Sequence, residues 1–208
     1  VQSLIQLCRD ILLYKSTDGE VNDKLIYDDM EFKEELLSKT EYVNNIIREY
    51  YPKEEGYQKI IFEAMNYSIE AGGKRLRPLF MMEVAKLFDG FNDEVKPFMA
   101  ALEMIHTYSL VHDDLPCMDD DGLRRGVQTL HVLYGDAYGV LVGDALLTEG
   151  YSMLSRYNKP QKLPLLLKLF GEKAGRCGMV YGQMLDLEYE RGLSGEKKMS
   201  LDAVNKVN

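Results

Sequence analysis

The stretch from Glu103 to Gly126 reads EMIHTYSLVHDDLPCMDDDGLRRG, and it decides the fold. Its first half is largely apolar and ends in a pair of aspartates. Pro116 follows shortly after, and a proline disfavours helical backbone angles at the residue before it, here Leu115. The stretch therefore predicts a long helix that ends in front of a charged loop.

Apolar residues at helical spacing predict further helices on both sides of this stretch. Pro52 closes the first of them, Gly72 and Gly73 stop the second, and Pro78 opens the third. No alternating strand pattern, internal repeat or linker is found, so we predict one all-α domain. Residues 1–29 contain a polar stretch that predicts a loop, and Met30 is either an internal start or a domain edge. The predicted helices run from about 32 to 50, 57 to 71, 78 to 88, 93 to 114, 138 to 157, 163 to 174 and 176 to 191.

The charged loop carries an unusual density of carboxylates. Packed carboxylates repel one another and raise one another's pKa, so such a cluster is most easily tolerated when cations occupy it. Ligand sets made only of oxygen favour Mg²⁺ or Ca²⁺. A calcium loop of the EF-hand type is excluded, because Gly122 at its sixth position would put Cys117 at its first. The plainer alternative is a charged surface turn. The carboxylates are those of Asp113, Asp114, Asp119, Asp120 and Asp121.

Two arginines, Arg124 and Arg125, follow these carboxylates directly. Magnesium usually binds through one or two carboxylates together with substrate phosphates, and guanidinium groups pair with phosphate oxygens. The combination therefore indicates a site for a magnesium-bound diphosphate. An internal network of Asp-Arg ion pairs is the structural alternative.

Helix geometry adds a condition to this hypothesis. Six residues of an ideal helix rotate by about 240°, so Asp113 and Asp119 cannot share a face unless the helix ends between them. Pro116 supplies that end. His106 lies two turns before Asp113 on the same face, where it could look into the same cavity. A lone histidine is more often structural, and His112 and His131 have less support than His106.

A second basic element, GGKRLRP, covers residues 72–78. It places Lys74, Arg75 and Arg77 beside exposed backbone N–H groups at the start of a predicted helix, which suits an anion. The structural alternative is a glycine helix cap followed by solvated side chains.

Composition limits the remaining functions. The chain has 208 residues, 46% of them hydrophobic and 28% charged, as in a folded domain. A net charge of -9 argues against broad binding to nucleic acid or an anionic membrane. Cys8, Cys117 and Cys177 fit neither a disulfide framework nor a zinc site, so we expect a reducing, cytoplasmic compartment. The apolar run 1–14 contains charges and predicts neither a signal peptide nor a membrane span.

The motifs resemble those of the trans-isoprenyl diphosphate synthase family, also called polyprenyl synthetases. Within it, they are similar to the bacterial farnesyl diphosphate synthase (geranyltranstransferase) type, which also includes geranylgeranyl synthases. The resemblance implies an isoprenoid synthase helical bundle around a central apolar cavity over residues 30–208, with residues 1–29 as an uncertain extension. The matching pieces are GGKRLRP at 72–78, the stretch 103–126, GDALL at 143–147 and GQMLDL at 182–187.

The resemblance implies a role for each matching residue. Asp113 and Asp119 are implied as the principal Mg²⁺ ligands with Asp114 in support, and Arg124 as the group that binds the allylic diphosphate. Tyr108, with Ser109, is implied as the floor that limits product length, although Tyr108 could equally be core. The residues implied to hold isopentenyl diphosphate are Lys74, Arg77, His106 and Arg125; further candidates near the allylic diphosphate are Gln183 and Asp186.

The implied activity is Mg²⁺-dependent condensation of isopentenyl diphosphate with dimethylallyl or geranyl diphosphate to farnesyl diphosphate, by a homodimer. The family's second aspartate-rich motif is expected beyond Asn208, so we expect the chain to be truncated at its C-terminus and the bundle to be incomplete. Val127 and Gln128 also depart from the family pattern. Three alternatives stay open: a geranylgeranyl diphosphate synthase, a catalytically incomplete or regulatory subunit, and an HD-type metal phosphohydrolase built on His112 and Asp113.

Overall fold

The structure is a computed structural model, and it describes residues 30–157 and 159–190 of the chain. The described residues are mainly helical, which confirms the predicted all-α class. The helices are α1 Met30–Arg48, α2 Lys59–Glu70, α3 Leu76–Leu87, α4 Lys96–Asp113, α5 Leu130–Tyr134, α6 Asp136–Ser155, α7 Leu163–Ala174 and α8 Met179–Glu190. Two short strands, β1 Leu123–Arg124 and β2 Val127–Gln128, form an antiparallel hairpin, and a 3-10 turn covers Pro160–Lys162.

The described residues divide into two compact units. The first contains residues 30–50 and 74–100, and the second contains 51–73 and 101–190. Each unit is described by itself below. The predicted extension at residues 1–29 lies outside the described residues, and the assignment of 30–208 to a single domain stays a prediction.

The core of the first unit is built from α1 and α3. Val43, Ile46 and Ile47 lie three and four residues apart on one face of α1, and each is at most 2% exposed. Leu79 and Met82 of α3 are fully buried. This spacing is the amphipathic signal that predicted the first helix.

α3 begins two residues before the predicted start at Pro78. Arg75 precedes it with a left-handed backbone (φ 48°), and its buried side chain donates from Nε to Oδ1 of Asn44 over 2.8 Å. Pro78 lies in the first turn of the helix, where the N–H groups have no intrahelical acceptor. Its missing N–H therefore costs no helical hydrogen bond.

In the second unit, α4 packs closely on α6. Three glycines of α6 stand where a Cβ atom would collide with α4 or the turn after it: Gly139 against Leu115, Gly143 against His112, and Gly150 against Ile105. A Cβ at Gly139 would lie 2.6 Å from Cδ2 of Leu115, and one at Gly150 would lie 2.7 Å from Cγ1 of Ile105. These glycines fix the position of the C-terminal half of α4.

Most predicted helices are present, with small shifts at their ends. α7 has the predicted bounds, whereas α8 begins at Met179 and not at Arg176, because Gly178 donates a turn hydrogen bond to the carbonyl of Gly175. The hairpin and α5 were not predicted. Within the described ranges, none of the helices has the length and apolar character needed to cross a bilayer.

Candidate diphosphate and metal site

The chain reverses direction at the C-terminal end of α4. The backbone N–H of Asp119 donates to the carbonyl of Asp113 over 2.9 Å, and that of Asp120 donates to the carbonyl of Leu115 over 3.1 Å. Asp120 has a left-handed backbone with φ 56°. The helix end expected at Pro116 is therefore present, and the reversal brings the backbone of Asp119 next to that of Asp113.

The carboxyl group of Asp113 has an unfavourable charged form. Burial, followed by the negative charge of Asp119, raises its pKa from 3.8 to about 6. A hydrogen bond from Gln183 and the charge of Arg124 lower this pKa and only partly compensate. A cation at this carboxylate would relieve both causes of the shift.

Asp119 is exposed and lies within the electrostatic reach of α8. The part of its carboxyl group that is shielded from water raises its pKa most, and the negative charges of Asp121 and Asp186 raise it further. From the same helix, Gln183 donates through Nε2 to Oδ1 of Asp113 over 2.9 Å. Gln183 and Asp186, one turn apart on α8, therefore both lie beside the aspartate cluster.

Asp114 and Arg124 form a partly buried ion pair. Asp114 is 4% exposed, and Arg124 donates to its Oδ1 from Nε over 2.6 Å and also from a terminal guanidinium nitrogen. Burial alone would lower the pKa of Arg124, but the hydrogen bond and charge of Asp114 outweigh it, and the pKa is raised. This is an internal Asp-Arg ion pair of the kind that the sequence left open as an alternative. It holds the side chain of Arg124 next to the aspartate cluster.

The two arginines of the RRG motif lie on the β1–β2 hairpin. Arg124 pairs with Val127 in the ladder, so Arg125 and Gly126 form its two-residue loop. Both have positive φ, 55° and 83°, as a type I′ turn requires. A left-handed backbone costs a non-glycine residue about 1–2 kcal/mol, and here it directs the guanidinium of Arg125 against Gly73. A Cβ on Gly73 would lie 2.6 Å from Nη1 of Arg125.

The remaining predicted diphosphate-binding residues are divided between the two units. Lys74 and Arg77 belong to the first unit and are exposed. Arg125 and the partly buried His106 belong to the second. Their joint contact with one ligand stays a prediction.

Tyr108 and Ser109, the predicted length-determining residues, are both buried in α4. The Tyr108 ring packs edge-on against His112 with centroids 5.7 Å apart, and burial raises its pKa. The hydroxyl of Ser109 donates to the carbonyl of His106 over 2.7 Å, so it is directed at the helix backbone. Whether Tyr108 limits product length stays a prediction.

The donor set fits magnesium better than a metal enclosed by protein alone. In the part of the chain that the structure describes, no group of three or more histidine, cysteine or carboxylate side chains is placed to hold a metal by itself. Magnesium keeps waters and shares phosphate oxygens, so one or two carboxylates suffice. Asp113 and Asp119 are the predicted pair of carboxylates for such a site. Each has a raised carboxyl pKa, and the backbone N–H of Asp119 bonds the carbonyl of Asp113.

The histidines next to the cluster have structural partners. Nε2 of His112 lies 3.2 Å from the carbonyl oxygen of Val140, and Nε2 of His131 lies 2.9 Å from that of Asp121. An HD-type phosphohydrolase needs histidine nitrogens at the metal. The geometry of these two histidines disfavours that alternative.

Three side chains hold the loop in place: Thr129 and Tyr67, which sequence reasoning passed over, and His131, to which it gave little support. Thr129 and His131 both contact the carbonyl oxygen of Asp121, and the hydroxyl of Tyr67 donates to the carbonyl of Gln128 over 2.7 Å. The Arg125-Gly126 dipeptide could have signalled the hairpin, because glycine in a two-residue loop is typical of type I′ turns. No short-range signal indicated the partners of Thr129, His131 or Tyr67.

Comparison with known proteins shows the family to which the chain belongs. Residues 58–206 match the family model described as Polyprenyl synthetase. The farnesyl diphosphate synthase of Micrococcus luteus is 40% identical over 182 residues, which are 85% of this chain and 59% of that protein. The farnesyl diphosphate synthase of Bacillus subtilis is 47% identical over 133 residues, or 62% of this chain and 45% of that protein. Geranylgeranyl diphosphate synthases also occur among the relatives.

Solved structures show the same similarity. An FPP/GFPP synthase from Zymomonas mobilis superposes with a TM-score of 0.74 at 34% identity, covering 85% of this chain and 64% of that one. The chain thus spans between 45% and 64% of the lengths of these three proteins.

Proposed function

Since the chain belongs to the polyprenyl synthetase family, we propose that it acts in a Mg²⁺-dependent trans-prenyltransferase of the farnesyl diphosphate synthase type. Its substrates are isopentenyl diphosphate and an allylic diphosphate, dimethylallyl or geranyl. The observation that carries the proposal is the reversal after α4, with its 2.9 Å hydrogen bond from Asp119 to Asp113. We further propose that the chain works in the cytoplasm as a homodimer and does not have nucleic acid as a partner.

The proposed reaction breaks the allylic carbon-oxygen bond, and the isopentenyl double bond attacks the resulting cation before a proton is lost. Asp113 and Asp119 would hold Mg²⁺ with Asp114 in support, and the ion would supply positive charge to the departing diphosphate. Arg124, oriented by its hydrogen bonds to Asp114, is proposed to donate its remaining N–H groups to the allylic diphosphate. Gln183 holds the side chain of Asp113 in place.

Isopentenyl diphosphate is proposed to bind the cations of the second basic element together with those of the loop. The motif match supports this assignment, and so does the type I′ turn, which places a strained arginine at the tip of the hairpin. The residues proposed are Lys74, Arg77, His106 and Arg125; Asp186 is proposed to face the allylic diphosphate.

Farnesyl diphosphate is the proposed product. Tyr108 lies five residues before Asp113 on α4 and is 4% exposed, and we propose that its ring limits the length of the growing chain. A geranylgeranyl product is the alternative, since synthases of that product are also relatives.

The test is a product analysis after incubation with Mg²⁺, isopentenyl diphosphate and either dimethylallyl or geranyl diphosphate. The 208-residue chain and the complete product of its gene are compared side by side. Absence of any condensation product from the complete gene product contradicts the proposed function. A geranylgeranyl product contradicts only the role of Tyr108.

A further inference from the structure

Two side chains converge on one backbone oxygen in the charged loop. The carbonyl oxygen of Asp121 accepts hydrogen bonds from Oγ1 of Thr129 over 2.7 Å and from Nε2 of His131 over 2.9 Å. The backbone N–H of Thr129 donates to the carbonyl of the next residue, Gly122, over 3.1 Å. The three bonds close the loop around the hairpin that carries the RRG arginines.

Thr129 is the N-cap of α5, where a threonine hydroxyl usually accepts a hydrogen bond from an N–H group of the first turn. No such cap bond is present. The hydrogen bond that the hydroxyl makes is the one it donates to the carbonyl of Asp121. Thr129 is 2% exposed, so water does not compete for its hydroxyl.

The ring of His131 is oriented from both of its nitrogens. A carbonyl oxygen can only accept a hydrogen bond, so Nε2 carries the proton that bonds Asp121. Nδ1 lies 3.7 Å from a carboxylate oxygen of Asp136, on the opposite side of the ring. The ring is therefore held between its acceptor in the loop and a charge on α6.

The segment held by these contacts is unfavourable by itself. Asp119, Asp120 and Asp121 place three carboxylates in a row. Asp120 also has the left-handed backbone that non-glycine residues rarely adopt. Repulsion and strain both favour opening of the segment, so its shape depends on its anchors. Its anchors are the backbone bonds from Asp119 to Asp113 and from Asp120 to Leu115, together with the bonds to the carbonyl of Asp121.

We propose that Thr129 and His131 are positioning residues that keep residues 119–121 in the shape that receives a metal-bound diphosphate. They touch neither metal nor substrate and act through the Asp121 carbonyl. The inference rests on the proposed function. The two residues thus preorganise the loop. When a smaller fraction of chains has the loop in its binding shape, the apparent affinity for the diphosphate falls by the same factor.

The experiment measures binding of inorganic diphosphate in the presence of Mg²⁺ by titration calorimetry, and amide hydrogen exchange at residues 119–122 without ligand. Thr129→Val removes the hydroxyl and keeps the shape, and Thr129→Ser restores a hydroxyl. Thr148→Val is the matched control, because Thr148 also donates to a backbone carbonyl over 2.7 Å, but on α6. His131→Leu and His131→Gln form a second pair, in which glutamine keeps an N–H donor.

We expect Thr129→Val and His131→Leu each to shift the loop toward its open form by about fivefold, the loss of one hydrogen bond. A loop that is mostly closed in the wild type shows this shift as faster exchange at 119–122, and a loop that is mostly open shows it as weaker diphosphate binding, so the two factors should multiply to about five. Thr129→Ser and His131→Gln should recover most of both effects. Thr148→Val should leave both quantities unchanged.

Wild-type affinity and exchange in both Thr129→Val and His131→Leu would overturn the inference. Equal losses in Thr148→Val would also overturn it, since they would indicate general destabilisation. If the wild-type chain binds no diphosphate, the proposed function fails for this chain, and the exchange data still decide whether Thr129 and His131 hold the loop. Should one position fail to fold on substitution, the other pair gives the same test.

Discussion

Replacement of Asp113 by asparagine is expected to stabilise the metal-free chain while it removes activity. The carboxyl group of Asp113 has its pKa raised to about 6 by burial and by Asp119, so its charged form is disfavoured in the fold. Asparagine has nearly the same shape and is never charged. Its side-chain oxygen can still accept the hydrogen bond from Gln183, which in the native chain is 2.9 Å long.

The magnitude follows from the shift of the pKa from 3.8 to about 6. At about 1.4 kcal/mol per unit, the full shift corresponds to roughly 3 kcal/mol. Asp113 is only half-buried, and solvent screening reduces this figure to about 1–2 kcal/mol. The folded chain binds this proton more tightly than the unfolded chain, so stability is lost as the pH rises from about 4 through 6. Above pH 7 the loss is complete.

The assay is thermal or urea unfolding in the presence of a chelator at several pH values. Asp113→Asn should exceed the wild type by about 1–2 kcal/mol at pH 7.5, or roughly 2–4 °C in Tm for each kcal/mol. The difference should vanish near pH 4. Asp144→Asn, which changes an exposed aspartate of α6, is the matched control and should alter stability by less than about 0.5 kcal/mol. Equal or lower stability of Asp113→Asn at pH 7.5 would refute the reasoning.

Three further predictions concern turnover by the complete gene product. Asp119→Asn should lower kcat/KM by about 100-fold or more, because a metal ligand is lost; near-wild-type kinetics would remove Asp119 from the site. Gly73→Ala should displace Arg125 and raise KM for isopentenyl diphosphate by about tenfold. Gly72→Ala, which also has positive φ but nothing within 4 Å of its Cβ, controls for backbone strain, and an equal effect there would contradict the argument. Tyr108→Ala should lengthen the product in chromatographic analysis, and an unchanged product would make Tyr108 part of the core only.

The parts of the fold that follow from local patterns could be predicted from the sequence. The 3.6-residue spacing of Val43, Ile46 and Ile47 reports a buried helix face without knowledge of its partner. Pro116 marks the end of α4 through its effect on a single neighbour, and the reversal of the chain follows from that end. The density of aspartates in the loop likewise needs no structure to be recognised.

The parts that depend on choosing a partner could not be predicted. β1 and β2 contain two residues each, which is too short for an alternating pattern. The sequence places several aspartates within reach of Arg124, and only the structure shows that the buried Asp114 is its hydrogen-bonded partner. From the sequence, the hydroxyl of Thr129 would be expected to cap the helix that follows it. In the structure it donates to a carbonyl eight residues away.

Several unfavourable features coincide in the charged loop, and together they explain why so many anchors surround it. Asp113 and Asp119 have raised pKa values, and Asp120 and Arg125 have left-handed backbones. Each feature costs folding free energy, yet each would be reduced or used when a cation and a diphosphate bind, since opposite charge lowers carboxyl pKa values and the turn presents a guanidinium. A loop of this kind is held by the rest of the fold in a state that its own residues disfavour. Binding of Mg²⁺ and diphosphate should therefore stabilise the wild-type chain by more than it stabilises Asp113→Asn, because that variant has already lost the unfavourable charge of Asp113.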